Sequence, residues 1–449
     1  MTNQKIKLPY PSTAYAAIMH FKAPVAAPSV SHFQDFHAGQ TFFINVNPDA
    51  SDALSPPAGG RIRVRVRHVK TPRTLSCPLV VDILDQGRGS TGTRRAFLKL
   101  YDRRFSESLR QEYCIDEWSE DNEQKYIAAV KSGRIQEFLR HYRSIKEEDW
   151  NDDMVDDWDE ADAEAFLFHK TERLFRDETA AYAQLHDLQG IHCPRLLAKV
   201  SLNLDSALEV EEADERTQGS ATKIDADLFK VKGVLLQYID GFSLDDLVER
   251  APRCMWQGLV DEAIRIIHGL GQRNVVNDDV RPENFLITTS AQYIDQQDEP
   301  IVLYDDAVRN LIKSAKWSRQ HGGSKRFMRS SAPRCRKRKK AYQRPYYQVF
   351  MIDFGMAWIR PKDWSDVEWA MRKDFVDEAG CVGVVMKRRL RMTGFNLRYD
   401  RKANKPYADL AKLHPDYYME NTQGRAEKMT ELGVCSTGAR PSQRYGPHQ

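Results

Sequence analysis

No apolar run in this chain approaches the ~20 residues that a membrane span needs, which excludes a bilayer-spanning role and any expected membrane partner. The first residues lack the charged start and apolar core of a secretory signal. Only seven cysteines occur in 449 residues, odd in number, scattered and without a CxxC pair. They read as reduced thiols in an intracellular protein, which excludes a disulfide frame and a cysteine zinc site. Charge of one sign is also lacking: the net value is +3, so overall charge selects no partner. What remains is an ordinary soluble composition, 41% hydrophobic, with length for about two to three domains.

The chain starts with a Pro-, Ala- and Ser-rich stretch, residues 1–60, holding one strand-like run at residues 40–46. From Arg61 the period changes to two, and residues 61–67 alternate arginine with β-branched side chains as a half-exposed strand does. Residues 79–84 and 96–101 read as two further antiparallel strands, with Gly87, Gly89 and Gly92 in the turn between them. Lys99 sits among apolar residues in the last of these. An edge charge reaching to water is one reading. A phosphate-pairing lysine is the other, and it needs a glutamate on a helix. Residues 175–185 read as such a helix and offer Glu178, which by itself would be taken for solvated surface.

A long insertion, residues 103–172, separates strand and helix. Its acidic part, residues 147–164, carries Trp150 and Trp158 and reads as a solvated segment or as a docking segment for a basic surface. Residues 194–200 form a fourth strand. A polar loop follows at residues 203–228, and residues 231–239 form a fifth, nearly all apolar strand. Asp240-Gly241-Phe242-Ser243 then breaks into a helix, with Ser243 as N-cap. A strand leaving a sheet this way is a hinge, whose backbone at Leu236, Gln237, Tyr238 and Ile239 can hold a base.

An amphipathic helix at residues 256–272 leads into Val275-Val276-Asn277-Asp278-Asp279-Val280-Arg281-Pro282-Glu283-Asn284. Phosphoryl-transfer enzymes use a carboxylate followed five residues later by a carboxamide: the Asp accepts a hydroxyl proton and the Asn binds Mg²⁺. Asp279 and Asn284 have that spacing. Ile352-Asp353-Phe354-Gly355 supplies a second acid at a strand end, suited to a metal that bridges phosphates.

In this order the segments resemble the protein kinase-like superfamily over residues 61–391. The nearer resemblance is to a group of poorly characterised kinase-domain proteins common in filamentous fungi. Lys99-Leu100-Tyr101-Asp102-Arg103-Arg104-Phe105, Leu188-Gln189-Gly190, Gln237-Tyr238-Ile239-Asp240-Gly241-Phe242-Ser243-Leu244 and the two acidic segments carry the resemblance. It implies an α+β fold of two lobes. The N-lobe, residues 61–240, would be a small antiparallel sheet with insertions at 103–172 and 203–228. The mainly helical C-lobe, residues 241–391, would be reduced, with a basic insertion at 288–348 and a polar tail at 392–449. It also implies ATP and Mg²⁺ as cofactors. Lys99 would pair with phosphates and be held by Glu178. Asp279 would be the base, Asn284 and Asp353 the metal ligands, and Arg281 a neutraliser of the transferred group, acting through positioning and electrostatics.

The departures are specific. Asn277 and Asp278 stand where the family has His and Arg, so a loop phosphate would have no arginine partner. Residues 68–76, joining the first two strands, hold no glycine to bring a backbone cradle close to phosphate. Residues 377–386 resemble the buried helix that anchors the catalytic loop, with no Ala-Pro-Glu element before it. Residues 309–344 hold no acidic side chain, and residues 334–340 form a compact basic run. A solvated insertion, a nuclear-localisation run and a nucleic-acid contact all fit it. Attraction between residues 147–164 and 309–344 is a further expectation. The leading expectation is an atypical intracellular kinase, cytoplasmic or nuclear, acting on a hydroxyl-bearing protein or small molecule. A nucleotide-binding pseudokinase scaffold and a nucleic-acid-associated protein are the alternatives.

Overall fold

The computed structural model describes residues 35–47, 60–84, 94–145, 157–203, 226–289, 347–400 and 405–413. Six antiparallel strands close into a barrel. They are β1 (Thr41–Val46), β2 (Arg61–Val69), β3 (Cys77–Ile83), β4 (Arg94–Tyr101), β5 (Leu196–Asn203) and β6 (Lys230–Gln237), in the order β1-β2-β3-β4-β6-β5. Alternation decides the faces. Ile62, Val64 and Val66 of β2 are buried with Ile44, Val81, Leu98 and Leu235, while the arginines between them point outward. The expected small sheet beginning at residue 61 is corrected here. The run at residues 40–46, assigned to an N-terminal extension, is a barrel strand that pairs β2 on one side and β5 on the other. Its Ile44 and Val46 need burial, and its two hydrogen-bonding edges close what would otherwise be open strand edges.

After β4 the chain folds into three helices, α1 (Glu107–Glu112), α2 (Glu120–Lys131) and α3 (Arg134–Ser144), packed on the long α4 (Glu160–Gln184). The solvated reading of residues 147–164 is corrected for its described part. Residues 160–164 open α4, with Asp159 as N-cap, and Glu164 is fully enclosed. Trp158 packs edge-on to Phe138 at 5.3 Å. Glu164 accepts from Arg110 at 2.7 Å and from Arg103, and Arg103 also holds Glu123 at 2.7 Å. Buried charges persist only when paired in this way. Residues 147–156, 290–346 and the glycines at 87, 89 and 92 lie outside the described residues.

Strand β6 leads through residues 238–241 into β7 (Phe242–Ser243), α5 (Leu247–Arg250) and α6 (Trp256–Gly271). Ser243 caps the turn by accepting from the Asp246 amide at 3.3 Å. Gly241 is required by close approach: a Cβ there would lie 2.4 Å from the Ile287 carbonyl oxygen. Two small sheets follow, β8 (Val275–Asn277) with β11 (Ala357–Ile359), and β9 (Phe285–Thr289) between β7 and β10 (Tyr347–Met351). Helices α7 (Asp366–Val376), α8 (Glu378–Met392) and α9 (Lys405–Ala411) complete the described chain. One core joins α4 and β6 of the upper part to α6, α8, β8, β9 and β10 below. Residues beyond 391 are not simply a polar tail. Leu397 is buried, Phe395 packs on Trp256, and α9 packs on α7. No helix among the described residues is long and apolar enough to cross a membrane.

Candidate active site

The site lies where β4, α4, the β8–β9 loop and the end of β10 meet. The period-two pleat of β4 puts Ala96, Leu98 and Leu100 inside the barrel and Phe97, Lys99 and Tyr101 on the opposite face. Lys99 Nζ donates to Asp353 Oδ1 at 2.6 Å and lies 3.0 Å from Glu178 Oε2. The edge-charge alternative for Lys99 and the solvated alternative for Glu178 are thereby corrected: both are buried, and they neutralise one another. Tyr101 donates its hydroxyl to the same Glu178 Oε2, and the Phe354 amide approaches Glu178 Oε1 at 3.5 Å.

Burial opposes the positive charge of Lys99, but Asp353 and Glu178 outweigh it and raise its pKa. Burial raises the Glu178 pKa, against the pull of Lys99. Burial also works upward on Asp353, yet Lys99, Arg281 and the Gly355 amide hold it below the usual carboxylate range. Asp353 adopts φ 63°, a left-handed conformation that Asp tolerates better than most residues. Phe354 is buried edge-on to Tyr182, with ring centroids 5.3 Å apart.

The loop acid is built from its own neighbours. Asn277 donates its side-chain amide to the Asp353 carbonyl at 2.9 Å and accepts from the Asp279 amide at 3.1 Å. Its own backbone amide donates to Glu378 Oε1 at 2.9 Å, and Glu378 is paired with Lys373. Asn284 donates to the Asp279 carbonyl at 2.8 Å and to its Oδ2 at 3.3 Å. Arg281 lies 3.2 Å from Asp279 Oδ2. Burial, with the nearby Asp353 charge, pushes the Asp279 pKa up to about 6, against Arg281, Asn284 and Lys99. Asp278, where the resembled family has Arg, pairs instead with Arg372 of α7 at 2.5 Å. Arg372 also lies over the Trp358 ring at 5.0 Å.

Lys99, Glu178, Asp279, Arg281, Asn284 and Asp353 therefore meet in one cleft. The hinge residues divide. Leu236 faces Phe97 across the β4–β6 ladder and is buried in the shared core, and Ile239 is also buried. Gln237 exchanges bonds with Arg195, donating its amide at 2.9 Å and accepting on Oε1 at 3.2 Å. Tyr238 lies beneath Arg95 at 5.2 Å. Residues missed by sequence reasoning are Tyr101 and Phe97, which the i, i+2 pattern around Lys99 would have found, and Asn277, whose hydrogen bonds no local pattern reveals.

The donor set suits a hard cation. Asn284 spends its amide nitrogen on Asp279, which leaves its carbonyl oxygen, and Asp353 offers a carboxylate partly open to solvent. The two segments are tied through the Ile352 amide, which donates to the Asn284 backbone carbonyl at 2.8 Å and leaves the side-chain oxygen unused. No group of three or more His, Cys, Asp or Glu among the described residues could hold a metal alone. A Mg²⁺ ion held here would complete its shell with water and phosphate oxygens, as it commonly does.

No protein-family model matches the chain, and no curated protein does. Among solved structures, it is similar to the Rio2 kinase-ADP/Mg²⁺-phosphoaspartate complex from Chaetomium thermophilum. That match has TM-score 0.35 and 7% identity, over 82% of this chain and 69% of that one. It is also similar to WbdD, with TM-score 0.29 and 11% identity, over 82% of this chain and about half, 51%, of WbdD.

Proposed function

We propose that this cleft binds ATP and Mg²⁺ and that the protein is an atypical kinase, transferring the γ-phosphoryl group to a hydroxyl of a protein or small molecule. The observation that carries the proposal is Lys99 bonded to both Glu178 and Asp353, beside Asp279 and Asn284. Lys99 binds the phosphates, and Glu178 with Tyr101 fixes its ammonium. Asp353 and Asn284 hold the metal, which neutralises phosphate charge when bound. Asp279 accepts the hydroxyl proton of the acceptor, and Arg281 offsets charge on the transferred group. The kinase-like lobes, the kinship with filamentous-fungal kinase-domain proteins and a cytoplasmic or nuclear location belong to the same reading.

One observation favours a second reading, a nucleotide-binding pseudokinase. The β2–β3 connection is glycine-free and tied down by Arg73, which lies 2.5 Å from Asp35 and 4.5 Å above Phe105. Two variants separate the readings. Asp353→Ala is expected to weaken Mg²⁺-dependent ATP binding in calorimetry. Asp279→Asn is expected to keep binding and lower turnover by ~10²–10⁴-fold, the usual contribution of a positioned base. Wild-type binding with no rate above the Asp279→Asn background supports the pseudokinase. No binding of Mg²⁺-ATP by the wild type removes both.

A further inference from the structure

The outer face of the barrel is the largest feature that the proposed chemistry leaves unused. Arg61, Arg63, Arg65 and Arg67 stand on β2 at alternate positions, all exposed, with a pitch of about 6.6 Å set by the strand rise. The six strands contain one acidic residue, Asp82, and it is taken by Arg67 at 2.6 Å. Three other cations of these strands, buried or half-buried, draw carboxylates from outside the barrel: Lys99 from Glu178, Lys232 from Glu172 and Lys230 from Asp227. Among the described residues, Arg61, Arg65 and Arg95 have no carboxylate in ion-pair reach. Two of them rest on aromatic rings instead. Arg61 lies 5.0 Å over Phe43, and Arg95 lies 5.2 Å over Tyr238.

A solvated strand face needs charge but not charge of one sign. Mixed signs keep a surface soluble without self-repulsion, and a single-sign row is the pattern that attracts a polyanion. The cross-strand register extends the row. Arg65 faces Asp82, and Asp82 faces Arg95 at the start of β4. Phe43, on the neighbouring β1 and directly opposite Arg63, is 48% exposed. An apolar ring that stays half exposed even with Arg61 over it has little use in water, but the part that Arg61 leaves uncovered offers a surface on which a base can stack. Guanidinium groups stacked on rings keep their N–H groups free for phosphate oxygens.

From this we infer that the β1–β2–β3 face of the barrel binds single-stranded nucleic acid, with phosphates along the β2 arginines and a base stacked on Phe43. A membrane surface fits less well, because Phe43 is the one large apolar side chain exposed on this face among the described residues. An acidic peptide would match the charge but has no use for Phe43. The surface is separate from the cleft, so nucleotide chemistry can fail while this inference stands.

The test uses the full chain, a fluorescent 20-mer of oligouridylate and fluorescence anisotropy across a salt series. Wild type should bind, with affinity falling linearly in log–log salt. The double variant Arg61→Glu/Arg65→Glu should bind at least tenfold more weakly. Its salt slope should be shallower by about 1.4, from two phosphate contacts at about 0.7 each. Phe43→Ala should weaken binding roughly five-fold or more, within the usual stacking range, with the slope unchanged. Arg61→Lys/Arg65→Lys should retain most binding. Melting curves confirm that each variant is folded, and ATP affinity should stay the same in all. Three results would overturn the inference. The first is no binding by wild type. The second is binding that survives the barrel variants and disappears when residues 334–340 are neutralised. The third is oligouridylate binding unaffected by Phe43→Ala and matched by polyglutamate, which marks an acidic-peptide surface.

Discussion

Glu178 has one carboxylate oxygen shared by two donors, Lys99 and Tyr101, and a second facing the Phe354 amide. Both donors come from one face of β4, so Tyr101 holds the carboxylate that holds the lysine. Tyr101→Phe removes one buried hydrogen bond to a carboxylate, worth ~1.5–3 kcal/mol. Wild-type and variant ATP titrations should differ by roughly five-fold or more in affinity, and equal affinities would remove Tyr101 from the site. A second residue-scale prediction concerns pH. His169 is half-buried against the Tyr142 ring, with its enclosed Nδ1 lacking a hydrogen-bond partner. Burial, with Arg143, Lys170 and Arg176 nearby and only Glu172 opposing, lowers its pKa from 6.5 to about 4. The unfolded chain therefore binds this proton more readily. Stability is complete above the unfolded value and falls as pH drops from 6.5 towards 4. The full loss is about 3 kcal/mol at most. Denaturant midpoints of wild type and His169→Gln across that window should show a shallower acid decline in the variant. Parallel declines would mean that His169 does not titrate there.

At the scale of elements, the loop between β8 and β9 is held between two others. Glu378 of α8 takes the Asn277 amide, and Arg372 of α7 takes Asp278. Arg372→Leu would leave Asp278 with both oxygens unpartnered, since its Oδ1 already has none. The expected loss is roughly 1–3 kcal/mol. Asp278→Asn in the same chain should recover part of it, a positive coupling in a double-mutant cycle. Strict additivity would show that the pair is not coupled. The turn between β6 and β7 offers a simpler test. Gly241→Ala drives a Cβ against the Ile287 carbonyl, a contact that rigid backbone cannot relieve cheaply. A loss of about 1–3 kcal/mol is expected by analogy with overpacking, and an unchanged melting temperature would contradict the close approach. Much of this level was legible beforehand. Residues 256–272 showed their apolar face, and Leu259, Ala263, Ile266 and Ile267 are all buried. Helices α1–α3 were not legible as a packed unit. Tyr126, Val130 and Ile135 meet Ala165 and Phe168 of α4, and beside them Arg103, Arg110, Glu123 and Glu164 are enclosed, residue types that in a bare sequence read as solvated. Only a partner's carboxylate or guanidinium in reach makes such burial affordable.

For the whole molecule, the closing strand is the decisive feature. Removing residues 1–46 would delete β1, uncover Ile62 and Val64, and leave the edges of β2 and β5 unpaired. The truncated chain should aggregate or melt well below the full-length protein in scanning calorimetry, because open apolar edges template association. A truncation as stable as wild type would show that the barrel does not need its sixth strand. The sequence alone determined the faces of β2 and β4, the helix bearing Glu178, and the loop joining Asp279 to Asn284. Each of these rests on a period or spacing within a few consecutive residues. Tertiary structure alone decided that residues 41–46 close a barrel, that Asn277 ties Asp279 to Asp353, and that Lys99, expected to meet Glu178, is bonded to Asp353 as well. Those outcomes depend on groups up to 254 positions apart. Local patterning sets which way a side chain points, but only the packed chain sets what it meets.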